Sequence, residues 1–146
     1  MKILVLFGPN LNLLGWMTRG KARITLDKVQ RSLRKVTQSR EVDLRMEQTD
    51  DEVRACKLLK SQRNKINGLL LVPGIWSRTG HQLLETAALL GVPVAVHQIQ
   101  AEGSPWLGEK AGLFSGLAVV ESAGADGEKL AACLNDLLDH LSPPAS

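Results

Sequence analysis

Two asparagines stand where a buried strand gives way to a loop. The apolar run 3–7 has the composition of a strand covered on both faces, and Gly8-Pro9 ends it. Asn10 and Asn12 follow at once, and each amide offers a donor and an acceptor to a bound molecule. This position favours a binding role for both amides. The alternative is a pair of turns in which each amide bonds its own backbone.

Tryptophan occurs three times, and every copy falls in a predicted loop rather than in a strand or helix. The positions are Trp16, Trp76 and Trp106. An indole supplies a large apolar area with one polar N–H, which suits a ligand pocket lined by aromatic rings. The alternative is that each indole fills a gap in the packing or lies in a contact between subunits.

Histidine and cysteine are not spaced to hold a metal ion. His81 and His97 have no cysteine or carboxylate at ligand spacing, so we expect neither a metal nor a cofactor. Cys56 and Cys133 lie within helical patterns, and we interpret them as reduced, buried residues. His81 either points into a ligand pocket or caps a helix. His140 is interpreted as a solvated residue that interacts with a helix dipole.

The order of strand and helix patterns indicates which loops meet. Apolar runs predict five strands, at 3–7, 42–46, 68–72, 92–96 and 117–120, and the polar alternation in the second makes it an edge strand. Helical spacing predicts four helices, of which the first is capped by Thr25, the second opens at Thr49 or Asp50 and runs to Asn67-Gly68, and the others cover 83–90 and 130–141. A short polar loop is predicted after Pro73-Gly74.

This alternation predicts an α/β protein of the flavodoxin-like type. Five parallel strands should form the middle of a three-layer sandwich with helices on both faces. We expect one domain over 1–146, with a flexible tail over 142–146. Ligands of such sheets bind beyond the carboxyl ends of the strands, so the loops 8–23, 73–80 and 97–112 should form the site.

Composition narrows the class of protein further. The chain has 146 residues, 44% of them apolar, and a formal charge of +3 spread over interspersed acidic and basic residues. A spread charge lacks the basic stripe of a nucleic-acid binder. No run approaches the roughly 20 apolar residues of a membrane span, and the first run is too short for a signal peptide. We expect a cytoplasmic protein that binds a small molecule, with no nucleic-acid or membrane partner.

The loop sequences resemble those of one enzyme family. The run Gly8-Pro9-Asn10-Leu11-Asn12-Leu13-Leu14-Gly15 is similar to the opening of the type II 3-dehydroquinate dehydratases, or type II dehydroquinases. The likeness continues through Gln48-Thr49-Asp50, Pro73-Gly74, Gly91-Val92-Pro93-Val94 with Val96-His97, and Gly124-Ala125-Asp126-Gly127. It implies the fold of that family and an assembly of trimers that pack into dodecamers.

The resemblance assigns roles to some residues and marks others as replaced. It implies that His97 protonates a departing hydroxyl and that Asn10 holds a water that stabilises an enolate. The family's base is a tyrosine of the first loop, but this chain contains no tyrosine, and Lys21 falls nearest that position. A substrate-holding asparagine, a histidine and the glutamate that orients the catalytic histidine are replaced by Val72, Arg78 and Ala95.

Three functions are compatible with this pattern. The first is a diverged lyase or cyclase whose ligand is larger or more aromatic than 3-dehydroquinate, with His97 as general acid or base and Asn10 positioning a water or carbonyl oxygen. Its substrate-binding residues would be Asn12, Trp16, Lys21, Trp76, Arg78, Thr79, His81 and Trp106. The second is a non-catalytic homologue that serves as a binding or scaffold subunit. The third is a residual 3-dehydroquinate dehydratase with Lys21 as base, although losing a positioned base costs about 10²–10⁴-fold in rate.

Overall fold

A computed structural model describes residues 1–18, 23–100 and 111–142, and five strands in these ranges form one sheet. The strands are β1 (Lys2–Phe7), β2 (Asp43–Gln48), β3 (Gly68–Val72), β4 (Val94–Ile99) and β5 (Val120–Gly124). All neighbours pair in parallel, in the order β2-β1-β3-β4-β5. The predicted flavodoxin-like α/β class is confirmed, and β2 lies at an edge as predicted.

The described helices cover both faces of the sheet. They are α1 (Leu14–Met17), α2 (Leu26–Gln38), α3 (Glu52–Ser61), α4 (Trp76–Thr79), α5 (His81–Leu89) and α6 (Gly127–Leu141), with 3₁₀ turns at Leu11–Leu13 and Gly112–Phe114. Helices α2 and α6 contact each other on one face, and α3 and α5 contact each other on the opposite face. Among the described helices, none is long and apolar enough to cross a membrane.

Alternate residues of the inner strands enter two separate apolar clusters, because successive side chains of a strand point to opposite faces. The first cluster, under α2 and α6, contains from the sheet Ile3, Val5, Phe7, Leu70, Val72, Ala95 and Ile99. The second cluster, under α3 and α5, contains Leu4, Leu6, Leu69, Leu71, Val94 and Val96. Burial on both faces explains why the inner strands read as continuous apolar runs.

Capping residues fix where the long helices begin. The Oγ1 atom of Thr25 accepts a hydrogen bond from the Lys28 N–H, so the predicted cap of α2 is confirmed. The predicted start of the next helix at Thr49 or Asp50 is wrong, because Asp51 caps α3. The chain is still tied to the sheet at Thr49, whose N–H donates to the Phe7 carbonyl.

Several predicted boundaries are also wrong. Helix α3 ends at Ser61 rather than at Asn67, and a turn with Asn64 in the left-handed region (φ 64°) follows it. The loop predicted after Pro73-Gly74 contains the helical turn α4. Strand β5 begins at Val120 rather than Leu117, because the register with β4 runs from Val120 to Gly124. Periodicity alone did not detect where these turns fall.

Strand β4 lies two to three residues later than predicted, and this changes the setting of His97. The predicted run stops at Val96, because His97 and Gln98 interrupt the apolar pattern. In the structure β4 continues through Ile99, since His97 pairs with Ser122 and Gln98 with Ala123 of β5. Both polar residues are therefore buried inside the sheet rather than at the start of a loop.

Candidate active site

The first loop is fastened to the ends of three strands. The Gly8 N–H donates to the Val72 carbonyl of β3, and a Cβ at Gly8 would lie 2.1 Å from the Pro73 carbonyl oxygen, so only glycine fits. The Gln48 side-chain amide donates to the Gly8 carbonyl at 3.1 Å and to Asp50 Oδ1 at 3.1 Å. These bonds place the segment that follows Gly8 over the carboxyl ends of β1 and β3.

The two asparagines of this loop lie on its outer surface. Asn10 has a left-handed backbone (φ 65°), which asparagine tolerates better than most residues, and its N–H donates to Asp50 Oδ1 at 2.9 Å. Both Asn10 and Asn12 are exposed, whereas Leu11 and Leu14 between and after them are fully buried in the first cluster. The loop thus presents its amides to solvent and its leucines to the core.

Thr18 connects the end of α1 to the chain that precedes α2. Its hydroxyl lies 2.9 Å from the Leu14 carbonyl oxygen and 2.8 Å from the Ile24 carbonyl oxygen, and it accepts from the Ile24 N–H at 2.8 Å. The side chain is buried. Lys21, the residue nearest the family's tyrosine position, lies outside the described residues.

His97 is buried on the same face of the sheet as the first cluster. Its side chain has 0% relative exposure, and it lies between Ala95 and Ile99 in the strand alternation. Its Nδ1 atom is 2.6 Å from Ser122 Oγ on β5. Its Nε2 atom is buried and has no hydrogen-bond partner among the described residues. An unpaired buried polar atom costs about 1–3 kcal/mol, so it calls for an explanation in folding or in function.

The surroundings of His97 keep its imidazole neutral near pH 7. Burial lowers the pKa of His97 from its ordinary 6.5 to about 4. The carboxylate of Asp126 partly opposes this shift by raising the pKa, whereas the ammonium of Lys129 lowers it further. A neutral imidazole carries one proton, on Nδ1 or on Nε2, and the hydrogen bond at one nitrogen selects which.

The neighbouring Gln98 points to the opposite face, and both the oxygen and the nitrogen of its side-chain amide form hydrogen bonds. Its oxygen accepts from the Gly74 N–H at 3.1 Å, and its nitrogen donates to the Gly74 carbonyl at 3.2 Å and to Ser77 Oγ at 3.0 Å. These bonds hold the turn after β3 against β4. Trp76, in the same turn, is 3% exposed and belongs to the second cluster.

The structure brings only part of the predicted site together. Asn10 and Asn12 lie on the first loop, and Trp16, predicted to lie in a loop, is 68% exposed in the helical turn α1. His97 is buried in β4 on the face of the first cluster, whereas Trp76 belongs to the second cluster on the opposite face. Arg78 and Thr79 are exposed on α4, and His81 is exposed at the first residue of α5 without capping it through its side chain. Trp106 lies outside the described residues.

Four residues that sequence reasoning did not select also shape this end of the sheet: Thr18, Asp50, Gln98 and Ser122. Asp50 lay within a segment that resembles the family, and that was the available signal, whereas Gln98 lay just beyond such a segment. Ser122 gave none, because its contact with His97 depends on the register between β4 and β5. In the described part of the chain, no group of three histidine, cysteine or carboxylate side chains could hold a metal ion.

Comparison with known proteins gives one consistent result. The family model described as dehydroquinase class II matches residues 1–102. A 3-dehydroquinate dehydratase of Geotalea daltonii is 33% identical over 101 residues, which are 66% of this chain and 69% of that protein. One of Trichodesmium erythraeum is 32% identical over 97 residues, which are 65% of this chain and 65% of that protein.

Solved structures extend the likeness in fold beyond the matched sequence. A type II dehydroquinase of Butyrivibrio crossotus superposes with a TM-score of 0.78 at 17% identity, over 94% of this chain and 97% of that one. One of Propionibacterium acnes gives a TM-score of 0.72 at 20% identity, over 97% of this chain and 96% of that one. His97 lies within the segment that the family model matches, and Ser122 lies beyond it.

Proposed function

The chain belongs to the class II dehydroquinase family, and from this premise we propose that it is a lyase acting at the carboxyl ends of β1, β3 and β4 on a compound other than 3-dehydroquinate. His97 would contact the reacting oxygen through Nε2, and Asn10 would position a water or a carbonyl oxygen. A cyclase, which also rearranges bonds beside a polarised oxygen, is the nearest variant of this proposal.

The observation that carries the proposal is the unpartnered Nε2 atom of His97. Natural proteins pair nearly all buried polar atoms, and each exception calls for an explanation, of which a catalytic role is one. The atom lies near the carboxyl end of an inner strand, where ligands of doubly wound sheets bind. Because His97 is fully buried, a ligand can reach Nε2 only if neighbouring side chains move.

The choice of ligand follows from what surrounds that atom. A small polyhydroxy acid needs several polar partners, but Val72 and Ala95 present only apolar side chains on the His97 face, and no tyrosine exists as a base. Trp16 offers an exposed indole on the first loop. We therefore propose a ligand larger or more aromatic than 3-dehydroquinate, for which Asn12 and Trp16 are the described binding residues and Lys21 and Trp106 the further candidates.

Turnover of 3-dehydroquinate separates this proposal from a residual dehydratase. We expect negligible enone formation, because the chain has no phenol base, and Lys21 would have to replace it. The assay is ultraviolet absorption of the enone with purified protein. A rate within the roughly 1–10³ s⁻¹ of ordinary enzymes, lost in Lys21→Met, would instead establish the residual dehydratase.

A ligand screen tests the binding part of the proposal. Trp16 is exposed and Trp76 is buried, so an emission change that disappears in Trp16→Phe reports binding at the first loop. We expect benzoate or 4-hydroxybenzoate to change the emission, and Asn10→Ala to weaken that change. No response from either compound at millimolar concentration, in protein that melts cooperatively, would count against the proposal.

A non-catalytic binding or scaffold subunit is the second candidate, and a different observation favours it. Leu11, Leu14 and Val72 fill the His97 face, and the Trp76 indole is part of the core rather than of a pocket wall. For this role we propose a trimer that can pack with other trimers into a dodecamer. Its contacts would use sheet edges and helix surfaces. Light scattering at micromolar concentration tests it, and a monomer would exclude the scaffold.

A further inference from the structure

Ser122 occupies the position from which the protonation of His97 can be controlled. It lies directly opposite His97 in the β4–β5 register, and its Oγ is 2.6 Å from Nδ1. Position 95, two residues before His97 on the same face, is an alanine and cannot accept a hydrogen bond from the ring. Ser122 is therefore the partner that the described residues supply to this imidazole.

Two arrangements of the protons could satisfy this contact. In one, the Ser122 hydroxyl donates to Nδ1, and the single proton of the neutral ring lies on Nε2. In the other, the ring donates from Nδ1, and the Ser122 hydroxyl must donate elsewhere. We choose the first, because in the second the Ser122 proton needs another acceptor, and no oxygen or nitrogen other than Nδ1 bonds Ser122 Oγ among the described residues.

The sulfur of Cys133 is a second possible acceptor for the Ser122 proton, and it is a poor one. Burial raises the pKa of the Cys133 thiol to about 11, although a hydrogen bond with Ser122 acts in the opposite direction and Asp136 raises the pKa further. The sulfur is therefore a protonated thiol near pH 7, and a thiol is a weak acceptor compared with an imidazole nitrogen. Of the two side chains, the imidazole nitrogen of His97 is the better acceptor for the Ser122 hydroxyl.

We infer that Ser122 is a positioning residue that keeps the single proton of a neutral His97 on Nε2. The site then presents a hydrogen-bond donor, and the ligand atom that meets it is an acceptor oxygen such as a carbonyl or an enolate. This second statement rests on the proposed function, whereas the position of the proton does not. A neutral imidazole can polarise such an oxygen without transferring a full proton.

The charges that face His97 do not reverse this choice. Asp126, before α6, and Lys129, in its first turn, act on the ring with opposite signs. The other side chains of the first cluster around this face, from β1, β3 and α2, are apolar. Neither charged side chain has a hydrogen bond to the ring among the described residues, so Ser122 alone contacts Nδ1 there.

Nitrogen NMR of the ¹⁵N-labelled protein without ligand tests the inference. Long-range proton–nitrogen correlations show which ring nitrogen of His97 carries the proton at pH 7, and His81 and His140, both exposed, serve as references. We expect the Nε2-protonated form to exceed the other by at least about tenfold, since a hydrogen-bond preference near 1.4 kcal/mol has that effect. A proton found on Nδ1 would overturn the inference.

Variants show whether Ser122 is the cause. Ser122→Ala should reduce the preference to within about threefold, and Ser122→Thr should restore it, because threonine keeps the hydroxyl and an open groove of about 380 Å³ beside Ser122 and Cys133 has room for a methyl group. Ser39→Ala, at the distant end of α2, is the matched control. An unchanged preference in folded Ser122→Ala would overturn the role of Ser122. A confirmed preference with no ligand response would leave this inference standing and defeat the proposed function.

Discussion

Two consecutive polar residues of β4 are buried on opposite faces of the sheet, and their surroundings differ. Gln98 makes three hydrogen bonds, which hold the turn containing Gly74 and Ser77 over the second cluster. His97 makes one, to Ser122, and leaves Nε2 without a partner among the described residues. The Gln98 amide uses its hydrogen bonds to hold the fold together, whereas the unpartnered Nε2 atom of His97 can still form a hydrogen bond with a ligand. The comparison separates a structural face from a candidate functional face.

The largest expected change in stability comes from replacing Trp76, which belongs to the second, structural face. Replacing the exposed Trp16 serves as its counterpart. Trp76→Ala should reduce the free energy of unfolding by about 3–5 kcal/mol, because it removes a buried indole from the second cluster. Trp16→Ala, on the exposed first loop, should change it by less than about 0.5 kcal/mol. Urea unfolding measures both. A costly Trp16 variant beside a tolerated Trp76 variant would break the assignment of the two indoles.

The pH dependence of stability tests the functional side. The pKa of His97 is about 4 in the folded chain and 6.5 ordinarily, so the unfolded chain binds the proton first as the pH falls. The contribution of this pKa difference to the free energy of unfolding is fully present above pH 6.5. It is lost as the pH falls from 6.5 toward 4, and the total loss is roughly 3 kcal/mol. His97→Leu should remove this part of the pH dependence, and His140→Gln, at an exposed position, should retain it. Equal slopes in parent and His97→Leu protein would show that the ring is not held neutral by burial.

Replacing Gln98 should cause the smallest of the three losses of stability. Gln98→Leu keeps the volume but leaves the Gly74 N–H and the Ser77 hydroxyl without this partner, and it should cost about 2 kcal/mol. Gln38→Leu, at the exposed end of α2, is the control. The loss should not depend on pH between 4 and 7, unlike that at His97. A Gln98→Leu protein as stable as the parent would mean that this amide does not fix the turn.

Part of the site could be predicted from the sequence because its signals are local. Short motifs were enough to identify the asparagines of the first loop, the histidine of β4 and the family resemblance. The family is confirmed. The sequence favoured one pocket lined by the tryptophans, and it could not show that Trp76 is buried on the face opposite His97. Trp76 lies two residues after Gly74, and the helical turn α4 directs it into the second cluster, which a loop prediction could not show.

The sequence by itself determined the α/β class, the parallel sheet, the edge position of β2 and the cap of α2, because hydrophobic periodicity and capping depend on residues close in the chain. Only the tertiary structure decided that His97 and Gln98 lie inside β4, that they face opposite layers, and that Ser122 meets the imidazole. These facts depend on the register between β4 and β5, which brings residues 25 positions apart into contact. Register is set by the packing of the whole sheet, so no local pattern contains it.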